Sequence, residues 1–248
     1  MPKEQYIYGI RPTIEAIRAG KQVDKLLIQA GLKGPGFHEL FALVKEVEIP
    51  YQFVPVEKLN RQSKQNHQGI IAYVTEIIYQ KLEEIIPFVY ENGRTPFILI
   101  LDQVTDVRNV GAIARTAACA GVDALVMPSR GSAQLNSDAI KTSAGALYTL
   151  PVCRPANLKD SLKFLKDSGL SIVAATEKGD KQYTEAKMDG PLAIIMGSEG
   201  QGISEEYLKF ADEKVSIPIL GEIDSLNVSV ASGILLYEVI RQRNKTAE

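Results

Sequence analysis

From Phe97 onward the chain repeats one pattern: a short apolar run, a loop of small and polar residues, then a helical segment. Phe97-Ile98-Leu99-Ile100-Leu101, Ala124 to Met127, Ser171 to Ala175, Leu192 to Met196 and Lys214 to Ile217 read as strands. Val110 to Ala120, Ser137 to Ala146, Leu158 to Lys166 and Leu226 to Arg243 read as helices. Strands that are apolar along their whole length need cover on both faces, which alternating helices supply. The spacing therefore predicts an α/β domain around a mostly parallel sheet. Ligands of such sheets gather beyond the carboxyl ends of the strands, so the loops there carry the chemistry.

Three of those loops stand out. The first follows Phe97 to Leu101 and leads through Asp102 into Asn109-Val110-Gly111-Ala112-Ile113-Ala114-Arg115. Asn109 is placed as a helix N-cap. Arg115 interrupts a face of glycine and alanine and reads either as a surface ion pair or as a functional cation. The second loop, Met196-Gly197-Ser198-Glu199-Gly200-Gln201-Gly202, has glycines in the order G-x-x-G-x-G. That is not the dinucleotide fingerprint, and the better helix start is the later Ser204-Glu205-Glu206, so a nicotinamide dehydrogenase is poorly supported. Glu199 is either a turn residue or a carboxylate for a ribose or an attacking hydroxyl. The third is Ile217-Pro218-Ile219-Leu220-Gly221 followed by Ser225-Leu226-Asn227-Val228-Ser229-Val230-Ala231. Ser225 is expected to cap a helix with Asn227 and Ser229 in its first turn, where unpaired N–H groups favour an anion.

The first 76 residues form a separate α/β pattern. Pro12 to Ala19 and Phe37 to Val47 have helical spacing, and Lys25 to Ile28, Tyr51 to Val54 and Gly69 to Val74 read as strands. Residues 77–94, with Pro87 limiting a short helix and Glu91-Asn92-Gly93-Arg94 forming a turn, read as a linker to a domain over residues 95–248. The formal charge of −2 argues against a generally basic nucleic-acid binder. Residues 1–80, however, hold 10 Lys+Arg against 8 Asp+Glu, and Lys58, Arg61 and Lys64 recur every three residues. Such a stripe acts on phosphates or is a solvated helix face. The two cysteines and two histidines give no metal-ligand spacing, so no metal is expected. Reduced thiols, no apolar run long enough to span a membrane and no apolar leader point to a cytoplasmic protein without membrane attachment.

The three blocks resemble the SpoU/TrmH family of S-adenosylmethionine-dependent RNA ribose methyltransferases, within the SPOUT class. The matching motifs are N-x-G-x-x-x-R at Asn109 to Arg115, M-G-S-E-G at Met196 to Gly200, and I-P-x-x-G with S-L-N-V-S-V-A at Ile217 to Ala231. Tyr8-Gly9 and His67-Gln68-Gly69-Ile70 resemble the L30e-like RNA-binding domain of the subgroup acting on large-subunit ribosomal RNA. Ser132 to Asn136 looks like that subgroup too. The resemblance implies an L30e-like first domain and a second domain with a deep trefoil knot, assembled as a homodimer. It implies S-adenosylmethionine held by backbone around Gly197, Ile217, Ile219 and Leu226. Arg115, Asn109, Glu199, Asn227 and Ser229 would form the catalytic set, with Arg115 at the reacting ribose and Glu199 as an alternative proton acceptor. RNA would meet Lys58, Arg61, Lys64, His67 and Gln68. The nearest subgroup methylates a guanosine 2′-hydroxyl in the peptidyl-transferase-centre P loop of 23S ribosomal RNA. Alternatives are a transfer RNA or other ribosomal target within the family, or a non-catalytic RNA-binding ribosome-assembly factor.

Overall fold

All-apolar strands and alternating strands build two different sheets in this chain. The computed structural model describes residues 6–246. Two units divide the chain: one runs to Ile78 and takes in Leu135–Ser137, and the other holds the remaining residues.

The first unit contains β1 (Tyr6–Tyr8), α1 (Ile10–Arg18), β2 (Val23–Gln29), α2 (Pro35–Glu46), β3 (Tyr51–Val54), α3 (Val56–Gln62) and β4 (Ile70–Val74). Its sheet has the order β1-β4-β2-β3, with β4 antiparallel to both neighbours and β3 parallel to β2. Side chains alternate between faces along each strand. Leu26, Ile28, Ile70 and Ala72 meet Ile14 and Ile17 of α1 and Leu40 and Val44 of α2 in the larger core. On the other face Leu27, Val54 and Ile71 are covered by Leu59 of α3. Strand β1 and helix α3 were not legible as elements in the sequence. Each is short, and α3 buries only Leu59, too little to give a helical period.

The second unit comprises α4 (Leu82–Glu91), β5 (Phe97–Leu101), α5 (Val107–Cys119), β6 (Ala124–Val126), α6 (Ser137–Thr142), β7 (Val152–Cys153) and α7 (Leu158–Asp167). It continues with β8 (Ser171–Ala175), β9 (Lys181–Gln182), β10 (Leu192–Met196), α8 (Glu205–Leu208), β11 (Glu213–Ser216) and α9 (Val228–Thr246). Its seven strands lie in the order β7-β6-β5-β10-β8-β11-β9, and every pairing is parallel. The expected α/β class and parallel sheet are both present. Helix α6 ends at Thr142, and a separate 3-10 turn covers Ala146–Tyr148, dividing what reads in sequence as one helix.

Residues 77–94 do more than link. Helix α4 runs through Pro87 to Glu91 and buries Leu82, Ile85, Ile86 and Val89 in the second core. Proline is tolerated because it lies in the sixth position of a ten-residue helix, where a single lost bond is offset by burial on the inner face. That core also receives Leu158, Leu162 and Leu165 of α7, together with Ile98, Ile100, Ile172 and Ile195. The alternate side chains Leu99, Leu125, Val173 and Ile194 are buried as well. Helices α5 and α9 pack against each other and contribute Val110, Ile113, Leu235 and Val239 to the interior. At the amino ends of the strands, Arg243 of α9 donates to the carbonyls of Thr95, Pro96 and Gly190 and lies over the Phe97 ring. Functional loops are thereby left to the opposite, carboxyl edge.

Candidate active site

Strands β5, β10, β8 and β11 are parallel neighbours, so the loops after them emerge together. The loop after β10 is closed on itself. Ser198 N–H donates to the Gly202 carbonyl at 3.2 Å, and Gly202 N–H donates back to Ser198 at 2.9 Å. Gly197 is required by contact: a Cβ there would lie 2.1 Å from the Gly202 carbonyl carbon and 2.4 Å from Ile203 nitrogen. Asp102, at the end of β5, is buried and accepts from Ser204 N–H at 2.7 Å, while Gln103 donates to the Ser204 hydroxyl at 2.8 Å. These bonds tie the first two loops together.

Glu199 is the point on which all three sequence blocks converge. Its Oε1 accepts from Asn109 Nδ2 at 3.2 Å, Asn227 Nδ2 at 2.6 Å and Val228 N–H at 3.2 Å. Asn227 Nδ2 also donates to Asn109 Oδ1 at 3.0 Å, and Asn227 Oδ1 accepts from both the backbone N–H and hydroxyl of Ser229. Val228 opens α9, so the carboxylate sits at the positive end of a nineteen-residue helix. Three N–H donors thus meet on one carboxylate oxygen. No donor among the described residues is bound to Oε2.

Two expected caps move. Asp106, not Asn109, caps α5: its Oδ1 accepts from Arg108 N–H and Asn109 N–H. The cap role of Asn109 in the sequence reading gives way because the helix begins three residues earlier, at Val107, leaving the Asn109 amide for Glu199. Similarly, α9 starts after Asn227, whose Oδ1 accepts from Ser229 N–H, rather than after Ser225.

Arg115 lies about 9 Å along α5 from Asn109, six residues at 1.5 Å each. It is exposed and has no ion pair or hydrogen bond among the described residues. The structure brings Asn109, Glu199, Asn227 and Ser229 into one network and leaves the Arg115 guanidinium outside it. Among the described residues no backbone group from Ile217 to Leu226 bonds to another backbone group, although Ser216 still accepts from Tyr183. Ile219 and Leu226 expose apolar side chains along that run, and Leu220 is 98% exposed. Open main-chain donors and acceptors beside apolar side chains suit a ligand that joins a nucleoside to an amino acid.

In the first unit, Lys58 and Arg61 project from α3, and Lys64 follows it; all three are exposed, without an ion pair among the described residues. His67 is buried. Its Nδ1 accepts from Gly69 N–H at 3.0 Å, so the proton sits on Nε2 and faces Asn60 Oδ1 at 2.9 Å. Gln68 accepts from Ile10 N–H through Oε1 at 3.3 Å, directly beside Gly9. Gln68 thereby braces the start of α1, while His67 braces the turn into β4. Among the described residues no cluster of side chains has metal-binding composition, and no helix is long and apolar enough to cross a membrane.

Residues 96–237 match the SpoU rRNA Methylase family, and residues 6–80 match the substrate-binding domain of RNA 2′-O ribose methyltransferases. The chain belongs to the SpoU methylase family. It is therefore an RNA methyltransferase. A relative in Staphylococcus saprophyticus is 36% identical over 242 residues, spanning 98% of this chain and 97% of that one. YacO of Bacillus subtilis is 33% identical over 247 residues, or 99% of each chain. Both carry provisional names as TrmH family tRNA/rRNA methyltransferases. Among solved structures, the SpoU methyltransferase AviRb from Streptomyces viridochromogenes, in complex with AdoMet, superimposes with a TM-score of 0.61. It is 26% identical, and the match covers 97% of this chain and 90% of that one.

Within this SpoU fold, sequence reasoning passed over Asp102, Gln103, Thr176 and Gly179. Asp102 carried a signal, an acid directly after five apolar residues. Thr176 donates its N–H to Val215 at 2.9 Å, and a Cβ on Gly179 would lie 2.4 Å from the Val215 carbonyl carbon. That crossing of two backbones is a tertiary fact with no local sequence pattern.

Proposed function

We propose that the protein methylates a ribose 2′-hydroxyl of ribosomal RNA with S-adenosylmethionine as donor, the target being the P-loop guanosine of 23S ribosomal RNA. The observation that carries this reading is the shared Glu199 oxygen, which joins residues from all three motifs at one sheet edge. Gly197, Ile217, Ile219 and Leu226 would hold the cofactor, mainly through main chain. When bound, S-adenosylmethionine supplies an electrophilic methyl group.

The chain's own residues prepare the nucleophile. Glu199 Oε2 accepts from the 2′-hydroxyl and aims it, while Oε1 remains locked by Asn109, Asn227 and Val228. Arg115, without a side-chain partner among the described residues, binds the phosphate beside the ribose and stabilises negative charge growing on the oxygen. Guanidinium rarely deprotonates, so Arg115 serves as cation and not as base. Ser229 fixes the Asn227 amide. Two further parts of the reading rest on packing. Exposed Leu220, Ile223, Val230 and Tyr237 form apolar surface that suits a second copy of the chain. The insertion of β10 between β5 and β8, with the close crossing at Gly179, supports a threaded path through the second unit.

The test is single-turnover methylation of a 23S ribosomal RNA fragment at saturating cofactor. Arg115→Ala is expected to slow chemistry by about 10²–10³-fold with cofactor affinity unchanged. Chemistry at the native rate would remove Arg115 from the reaction. Mapping of 2′-O-methylation in cells lacking the protein is expected to show loss at the P-loop guanosine. Loss on a transfer RNA instead would relocate the substrate while leaving the chemistry standing.

A further inference from the structure

Glu199 stands on a loop whose two ends are held by one residue. Strands β5 and β10 pair from Phe97 opposite Leu192 to Leu101 opposite Met196. One more bond follows, from the Asp102 N–H to the Met196 carbonyl at 2.8 Å. The chain then leaves the sheet as residues 197–203 and comes back at Ser204, whose N–H donates to Asp102 Oδ2 at 2.7 Å. The main chain of Asp102 therefore grips the departing segment and its side chain the returning one. Within the loop the bonds are local: Ser198 and Gly202 exchange two backbone bonds, and Gln201 N–H donates to the Ser198 hydroxyl at 3.3 Å. Those bonds fix the shape of the loop. Its seat on the sheet is set at Met196, at buried Ile203 and at Ser204.

Two departures from ordinary local preference accompany this grip. Ser204 precedes α8, where a serine hydroxyl normally caps the helix by accepting from a first-turn N–H. Here it makes no such bond and accepts from Gln103 Nε2 at 2.8 Å. Gln103 reaches it from a left-handed backbone, φ +57°, which residues other than glycine rarely adopt. Asp102 itself is 2% exposed, and withdrawing a carboxylate from water is costly unless its bond is kept. Conformational cost concentrated at the base of one loop, directly beneath Glu199, points to a demand on position beyond that of folding.

We propose that Asp102 is a positioning residue for methyl transfer, holding both ends of the loop at residues 197–203 and so setting where Glu199 Oε2 meets the ribose hydroxyl. This rests on the reading in which Glu199 aims that hydroxyl. Asp102 acts through Glu199 and meets no reacting atom itself.

The experiment pairs single-turnover methylation at saturating cofactor with hydrogen exchange of the loop amides. Asp102→Ala removes the acceptor and should slow methylation about 10²-fold, the effect of a shift near 1 Å at the reacting groups, with RNA affinity unchanged. Asp102→Asn keeps an acceptor oxygen for the Ser204 N–H and should restore most of the rate. In a Glu199→Ala background the Asp102→Ala change should cost little more, because residues that act as a unit are not additive. A residue that only supports the fold would slow both backgrounds equally. The Ser204 N–H should exchange slowly in the native chain and rapidly in Asp102→Ala, while the amides of β5 and β10 stay protected. The native half of that comparison needs no variant to fold. A native rate in Asp102→Ala, an Asp102→Asn as slow as Asp102→Ala, equal losses in both backgrounds, or rapid native exchange at Ser204 would each overturn the proposal. Native methylation by Glu199→Ala alone is the separate failure of the underlying reading. It removes Glu199 from the chemistry, and with it the route through Glu199, while slow Ser204 exchange would leave the grip on the loop standing.

Discussion

The two sheets of this protein solve the same burial problem in opposite ways. In the second unit every residue of β5 and β10 is buried, so neither face of the sheet is available and chemistry is pushed to the strand ends. In the first unit β4 begins buried and ends half-exposed, and one short helix covers only part of a face. A sheet buried on both faces gives the loops at its strand ends a fixed base. An open sheet offers area instead, and area suits a long, variable polymer. The methylase family match over residues 96–237 falls on the covered sheet, and the substrate-binding match over residues 6–80 falls on the open one.

The sharpest way to break this contrast is at Gly197. Gly197→Ala places a Cβ against the backbone of Gly202 and must displace the loop that carries Glu199. Methylation should fall by about 10²-fold, since a misplacement near 1 Å suffices, and cofactor affinity should drop with it. Gly190→Ala, with open space around its added carbon, should change neither. If Gly197→Ala retains native turnover and cofactor affinity, the closed sheet is not the rigid frame described here.

A smaller effect is expected on the open sheet. Lys58→Gln, Arg61→Gln and Lys64→Gln together should lower the slope of log affinity against log salt by about 2, at about 0.7 per single-strand contact. Cofactor uptake should be untouched. An unchanged slope would leave the stripe as solvated surface.

The mildest probe compares thiols within the second unit. Burial, with Glu83 and Glu84 nearby, pushes the Cys153 thiol up to about 12, whereas Cys119 is exposed on α5. Because the thiolate is the reactive form, brief alkylation of the native protein followed by mass spectrometry should modify Cys119 and spare Cys153 until denaturant is added. Equal labelling would show that the second core opens on that timescale.

The second unit was readable from sequence because burial on both faces leaves unbroken apolar runs such as Leu192 to Met196. What stayed hidden there were two-residue strands, β7 and β9, and the helix starts. Asp106 and Asn109 are both good caps, and only the tertiary pull of Glu199 on the Asn109 amide decides between them. Likewise Ser225 and Asn227 compete to begin α9, and the bonds to Ser229 and Glu199 settle it. The residue types at the site were legible, but their division of labour was not. The family resemblance groups Arg115 with Asn109, and among the described residues its guanidinium makes no bond to the Glu199 network. In the first unit β1 was missed because three residues give no period, and α3 because it buries only Leu59.

Arg243 has a consequence for how the chain is made. It grips Thr95 and Pro96 from 148 and 147 positions further along, so the latch on the near ends of β5 and β10 leaves the ribosome long after those strands. While translation is under way the parallel sheet stays unfastened at that edge, and maturation of the catalytic half is timed by arrival of its closing helix.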